Sequence, residues 1–177
     1  MGIFLMALEE VTTMETIERA AAITDTARAT AGEYLSFRLG AEEYGIHLLS
    51  VQEIRSYEAP TRIATAPPVI KGVLNLRGVI MPVADLRVTF QCDDAKIDAF
   101  TVVVVLSVGN RLIGMIVDSV SDVLDLPASA IRPVPALESG CESRYIGGIA
   151  SVQDRTLLLI DIKALMASPS FGLLRPF

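Results

Sequence analysis

Tyr34-Leu-Ser-Phe-Arg-Leu-Gly40 and Val103-Val-Val-Leu-Ser-Val-Gly109 superpose at an offset of 69 residues, and this relation decides the fold. In the first stretch Leu35, Phe37 and Leu39 alternate with Tyr34, Ser36 and Arg38. That period of two buries one face of a strand. In the second, Val102 to Leu106 is unbroken aliphatic sequence, the pattern of a strand covered on both faces. The same offset lays Gly45-Ile46 on Gly114-Met115, Ser50-Val51 on Ser119-Val120 and Glu53-Ile54 on Asp122-Val123. Further along the offset becomes 76, where Gly72-Val73 meets Gly148-Ile149 and Asp85-Leu86-Arg87 meets Asp161-Ile162-Lys163. Glycines and an Asp-aliphatic-basic triplet recur in order, so the chain reads as a duplication.

Working outward, Gly40-Ala41-Glu42-Glu43 reads as a hairpin turn into Tyr44-Gly45-Ile46. Gly109-Asn110 is a turn ahead of the strand Arg111–Val117. Further strands are expected at Gly72–Arg77, Ile80–Val83, Ile146–Val152 and Thr156–Ile160. Helix is scarce: a turn near Val69-Ile70, another over Asp85–Phe90 and a last one over Asp161–Met166, with Asp85 and Asp161 placed as N-caps. The fold class is therefore all-β, with two related five-stranded barrels packed together and short helices, one near the C-terminus. Barrels follow because an open sheet edge exposes unpaired backbone groups, and closure removes it. Gly45, Gly72, Gly78, Gly114 and Gly148 suit the bends that a small barrel needs.

Residues 1–32 differ from the remainder. Leu8, Val11, Met14, Ile17 and Ala21 recur at spacings of three and four, predicting a short amphipathic helix within an N-terminal extension. The extension is read as loosely held, with partner docking as the alternative. The barrel pair occupies residues 33–167, and 168–177 form a C-terminal tail.

Composition narrows the function. Of 177 residues, 51% are hydrophobic and 6% aromatic with no Trp, so aliphatic side chains fill the core. A net charge of −6 without any Lys/Arg-rich block argues against nucleic acid as partner. Cys92 and Cys141 stand far apart, which points to a reducing compartment rather than a disulfide framework. The apolar run Ile3–Leu8 lacks a basic lead and meets Glu9-Glu10 at once, unlike a signal peptide. The greasiest segment, Phe100–Val108, spans about half of the roughly 20 residues that a crossing helix needs. A cytoplasmic protein without membrane insertion is expected.

Catalytic signals are missing. His47 is the one histidine, and its alternating surroundings make it a structural or surface imidazole. One His and two isolated Cys give no metal-ligand spacing. Neither a phosphate-cradling glycine loop nor a nucleophile elbow occurs. The chain is expected to be no enzyme and to use no cofactor. An enzyme or ligand-binding barrel remains a distant alternative.

The ordered motifs Glu42-Glu-Tyr-Gly-Ile46, Val51-Gln-Glu-Ile-Arg55, Thr61-Arg-Ile63, Ile70-Lys-Gly-Val73, Asn75-Leu-Arg-Gly-Val-Ile80, Pro82-Val-Ala-Asp-Leu-Arg87, Val117-Asp-Ser-Val-Ser-Asp-Val123 and Ile131-Arg-Pro133 resemble the CheW family of chemotaxis coupling proteins. The resemblance covers roughly residues 33–167. It implies two five-stranded SH3-like barrels and a non-catalytic adaptor between the cytoplasmic tip of methyl-accepting chemoreceptors and the regulatory domain of the histidine kinase CheA. It further implies that Glu53 and Arg77 form a charged pair near the binding surface. Val51, Ile80 and Val102 match apolar positions of the receptor groove, and Gly72 and Gly78 shape the same region. His47 departs from the acidic residue common there. Coupling paralogues of pilus motility or developmental pathways share the motifs and remain the alternative.

Overall fold

The structure, a computed structural model, describes residues 29–93, 95–135 and 144–171. Eleven strands lie in two sheets: β1 (Gly32–Leu39), β2 (Glu42–His47), β3 (Val51–Ser56), β4 (Ile70–Leu76), β5 (Val79–Asp85), β6 (Val102–Val108), β7 (Arg111–Val117), β8 (Ser119–Leu126), β9 (Ile131–Arg132), β10 (Ile146–Val152) and β11 (Arg155–Ile160). Two short helices follow matching hairpins, α1 (Leu86–Thr89) after β5 and α2 (Ile162–Met166) after β11. One sheet runs β8-β1-β2-β11-β10-β9 and the other β3-β6-β7-β5-β4.

The duplication is visible in these orders. Replacing each strand by its repeat counterpart turns β3-β6-β7-β5-β4 into β8-β1-β2-β11-β10. Each sheet therefore takes its central hairpin from one copy and its other strands from the other copy. Local irregularities repeat as well. β4–β5 has a bulge between Ile70 and Gly72, and β10–β11 has one between Ile146 and Gly148. The bridge of Thr61 to Val73 is the counterpart of β9, whose Arg132 pairs with Ile149.

Both sheets are rolled. Leu126 ends β8 and Ile131 begins β9, five Cα steps later and at the opposite end of the six-stranded order. Five steps reach at most about 18 Å, whereas a flat sheet would separate those strands by about 24 Å. Ser56 and Thr61 set the same constraint on the second sheet. No ladder joins β8 to β9 or β3 to β4 among the described residues. Each barrel keeps a seam that the connecting chain closes.

Alternation on the shared strands supplies three apolar clusters. Val103 and Val105 of β6 point into the second barrel with Met81, Val83 and Ile116. Val104 and Leu106 point the other way, into a layer shared with Leu35, Phe37, Ile113, Met115 and Leu165. Tyr34, Leu126, Leu157 and Leu159 fill the first barrel. Its interior is narrow: a Cβ on Gly45 would stand 2.8 Å from Leu159 Cδ2, and one on Gly114 would stand 2.8 Å from Val103 Cγ1 in the second. These two glycines make room for packing, where the sequence suggested bends.

Several local expectations shift. The β1–β2 turn is Gly40-Ala41 alone, with Glu42 and Glu43 already in β2. Val69 lies in a turn and Ile70 opens β4, so no helix forms there. Strands β3, β8 and β9 add to those that the sequence pattern predicts. They are edge strands with charged, half-exposed faces, so no apolar run marks them. Asp85 and Asp161 do cap their helices, accepting from Arg87 N and Ala164 N. His47 caps a short 3-10 turn, Leu48–Ser50, through its Nδ1 and lies against Tyr34, a structural role. Packing runs past Ala167, since Phe171 is buried in the shared layer. The helix expected around Leu8–Ala21 and the end of the tail lie outside the described residues. No described helix is long and apolar enough to cross a membrane.

Candidate protein-docking site

The hairpin β4–β5 turns at Arg77-Gly78, and both residues have positive φ, 51° and 86°. Two such residues in a two-residue loop make a type I′ turn, whose twist matches the strands it joins. Asn75 Oδ1 accepts from Gly78 N at 2.7 Å and fixes the turn. Arginine is a costly residue for this conformation, because its Cβ crowds the backbone. The strained turn carries the guanidinium across the seam of the barrel to β3. There Arg77 Nη2 donates to Glu53 Oε2 at 2.7 Å. Glu53 also faces Arg55, whose Nε lies 4.0 Å from Oε1.

The first barrel has a related fastening. Asp122 on β8, the counterpart of Glu53, accepts from Arg155 Nη1 at 3.0 Å across that seam. Arg155 also donates to both oxygens of Glu43 on β2, and these hydrogen bonds, Glu43's before Asp122's, hold it charged well above its usual range. At the repeat positions of Arg155 and Glu43, the second barrel has Val79 and Leu112. Its seam is thus fastened by Glu53 and Arg77, and the arginine side chain stays 73% exposed. Beside it β5 leaves Val79 and Ile80 exposed, at 50% and 62%. An exposed cation held in place beside exposed aliphatics suits contact with another protein surface.

The sequence matches the family described as CheW-like domain over residues 33–170. The chain belongs to the CheW family. It is 48% identical to the chemotaxis protein CheW of Klebsiella aerogenes over 86% of this chain and 93% of that one. It is 32% identical to the chemotaxis protein CheW of Bacillus subtilis, over 82% and 94%. The scaffolding protein TtCheW of Thermoanaerobacter tengcongensis has a similar structure, with TM-score 0.74 and 26% identity over 82% of this chain and 99% of that one. The mostly-β CheW fold expected from the sequence is therefore shown, with six strands in one sheet and five in the other.

All seven candidate residues of this CheW-family chain lie on the five-stranded barrel. Glu53 and Arg77 meet across its seam, with Gly78 in the same turn and Ile80 exposed two residues further on β5. Val51 and Val102 are half-buried against the shared layer and stand at opposite ends of the β3–β6 ladder, opposite Leu106 and Ser56. Gly72 is buried behind this surface. A Cβ there would lie 2.1 Å from the Thr61 carbonyl oxygen, so only glycine fits and its absence of a side chain shapes the fold. Sequence reasoning missed Val79 and Ile54, both exposed on the same barrel. Ile54 carried a signal, a lone aliphatic within Gln52-Glu-Ile-Arg-Ser56, and its counterpart Val123 is exposed too. Among the described residues no cluster of three His, Cys, Asp or Glu could hold a metal ion.

Proposed function

We propose that this CheW-family scaffold acts in chemotaxis signalling by joining methyl-accepting chemoreceptors to the regulatory domain of the histidine kinase CheA, without catalysis of its own. The observation that carries the reading is the seam of the five-stranded barrel, where Arg77 is held on Glu53 beside exposed Val79 and Ile80. In this reading Glu53, Arg77, Gly78 and Ile80 present the docking surface. Val51 and Val102, half-buried at the edge of the shared layer, contribute to the apolar surface on which a helical tip would lie. Gly72 supports the same region from behind. The protein works in the cytoplasm, held at membrane arrays through its partners.

The test is co-sedimentation of the purified chain with receptor-containing membranes and CheA, with kinase output read in parallel. Arg77→Glu should weaken assembly about tenfold or more, since it sets like charge against Glu53 and reverses the exposed charge. Its melting temperature should stay nearly unchanged, because an exposed ion pair contributes only about 0–1 kcal/mol. A variant that unfolds would make Arg77 structural. A second reading is a coupling paralogue in another chemosensory pathway, since such paralogues share the motifs quoted above. Binding to the kinase of such a pathway in preference to CheA would select it.

A further inference from the structure

The loop that leads into β6 leaves Ile97 and Phe100 exposed, at 55% and 73%. Single exposed apolar residues are ordinary on a protein surface, but this pair is held rigidly. Phe100 N and Thr101 N donate to Asp98 Oδ1 at 2.7 and 3.2 Å, and Asp98 N donates to Thr101 Oγ1 at 3.0 Å. Thr101 itself is buried. The loop is also tied down on either side. Arg87 Nη1 donates to the Lys96 carbonyl at 2.6 Å, and Tyr57 N donates to Thr101 O at 3.2 Å. The fold does not require such a knob, since the repeat places Ala31 opposite Phe100 in the first barrel. Beside the knob lies a socket. Arg62 and Lys71 share one cleft with Ile97. They also rim a second cleft of about 540 Å³, lined by Ile63, Ala64, Pro67 and Pro68. Both cations are exposed, and no hydrogen bond or ion pair engages their side chains among the described residues. Asp93 and Asp98 give the knob the opposite sign, outnumbering Lys96.

We propose that two copies of this chain pair about a two-fold axis through this face, Ile97 and Phe100 of each copy entering the Ile63–Pro68 cleft of the other. Knob and socket adjoin on one barrel, so a two-fold axis satisfies both at once. A side chain on a rigid loop loses little freedom on docking, and an aromatic seated in a preformed cleft is the usual anchor of an interface. Charge favours this face over others. With a net charge of −6 two copies repel, except where the acidic knob of one meets the basic rim of the other. The pairing is independent of the partners proposed above, whose surface lies around Arg77, at the far end of hairpin β4–β5 from Lys71.

Sedimentation velocity of the full chain at low ionic strength, from about 1 to 300 µM, should show monomer passing to dimer, as a small interface does in that range. ¹⁵N spectra over the same range should shift the amides of 63–66 and 97–101 together. Phe100→Ser should raise the dimer dissociation constant about tenfold or more and leave the fold intact, since the ring is exposed. Lys71→Glu should raise it about fivefold or more, and salt at about 0.5 M should weaken pairing of the unaltered chain. Ile80→Ser, on the other docking surface, should change nothing. A chain that stays monomeric throughout would overturn the proposal. So would a dimer indifferent to both Phe100→Ser and Lys71→Glu, or one whose shifted amides lie elsewhere. Shifts at this face that appear only on adding a kinase or receptor fragment would assign it to another protein and equally overturn the pairing.

Discussion

At the scale of single residues, two arginines show how one side chain type serves opposite ends. Arg77 occupies the left-handed region at φ 51° and is largely exposed, so its conformation costs stability and its side chain adds little back. In the proposed reading that side chain serves the docking surface. Arg77→Asn relieves the turn, because asparagine tolerates this conformation. It should leave the melting temperature level or raise it by about 2–4 °C, while array assembly weakens. Calorimetry beside co-sedimentation checks both halves. Arg87 is the reverse case, 2% exposed and forked onto Asp85 through two hydrogen bonds of 2.9 Å. That hydrogen bonding to Asp85, opposed by burial, raises its pKa above the ordinary arginine value, so it remains a cation throughout. Arg87→Met strands the Asp85 and Asp118 carboxylates and should cost about 3–5 kcal/mol in urea unfolding. A loss below about 1 kcal/mol would mean that water replaces the guanidinium. The sequence showed Asp85 as a helix cap. It could not show that Arg87 is buried while its repeat counterpart Lys163 is exposed, because the Lys96 carbonyl and Asp118 that engage Arg87 come from other parts of the chain.

At the scale of elements, the bulged hairpins are the informative pair. Gly72 has φ 150°, and Thr61 O would lie 2.1 Å from an added Cβ. Gly148 occupies the same bulge in the other barrel, where an added Cβ meets Ile131 Cγ2 at 3.0 Å and Ala29 Cβ at 3.1 Å. Backbone cannot yield as side chains can. Gly72→Ala should therefore cost roughly 2 kcal/mol or more and detach the Thr61–Val73 bridge, and Gly148→Ala should cost less. Urea midpoints order the two variants, and amide exchange at Thr61 and Val73 reports the bridge. Equal costs would show that the bulge itself, and not the approach of Thr61, sets the requirement. The recurring glycines were legible in the sequence, and so were the strands with unbroken apolar pattern. Edge strands β3 and β8 were not, since half-exposed sequence with charges has the composition of a loop.

At the scale of the whole molecule, the interleaving of the repeats has a direct consequence. Hairpin β6–β7 lies between β3 and β5, and hairpin β1–β2 lies between β8 and β11. Neither half of the chain can then close a barrel alone. Fragments 29–93 and 95–171, expressed separately, should lack dispersed amide resonances, and mixing should restore the native spectrum. A half that folds by itself would show that its strands can re-pair within one copy. Because the shared layer draws on strands of both barrels, the two should also unfold in one transition with coincident probes.

The sequence by itself determined the strand-rich class, the duplication, both helix caps and the family, because each is written in periods and motifs within a few residues of one another. Tertiary structure alone decided which copy supplies each hairpin, that Glu53 meets Arg77 across a seam, and that Arg87 is buried where Lys163 is exposed. Those features join strands at opposite ends of a rolled sheet, and the curl that brings them together belongs to the whole assembly of strands, with no single stretch of residues to announce it.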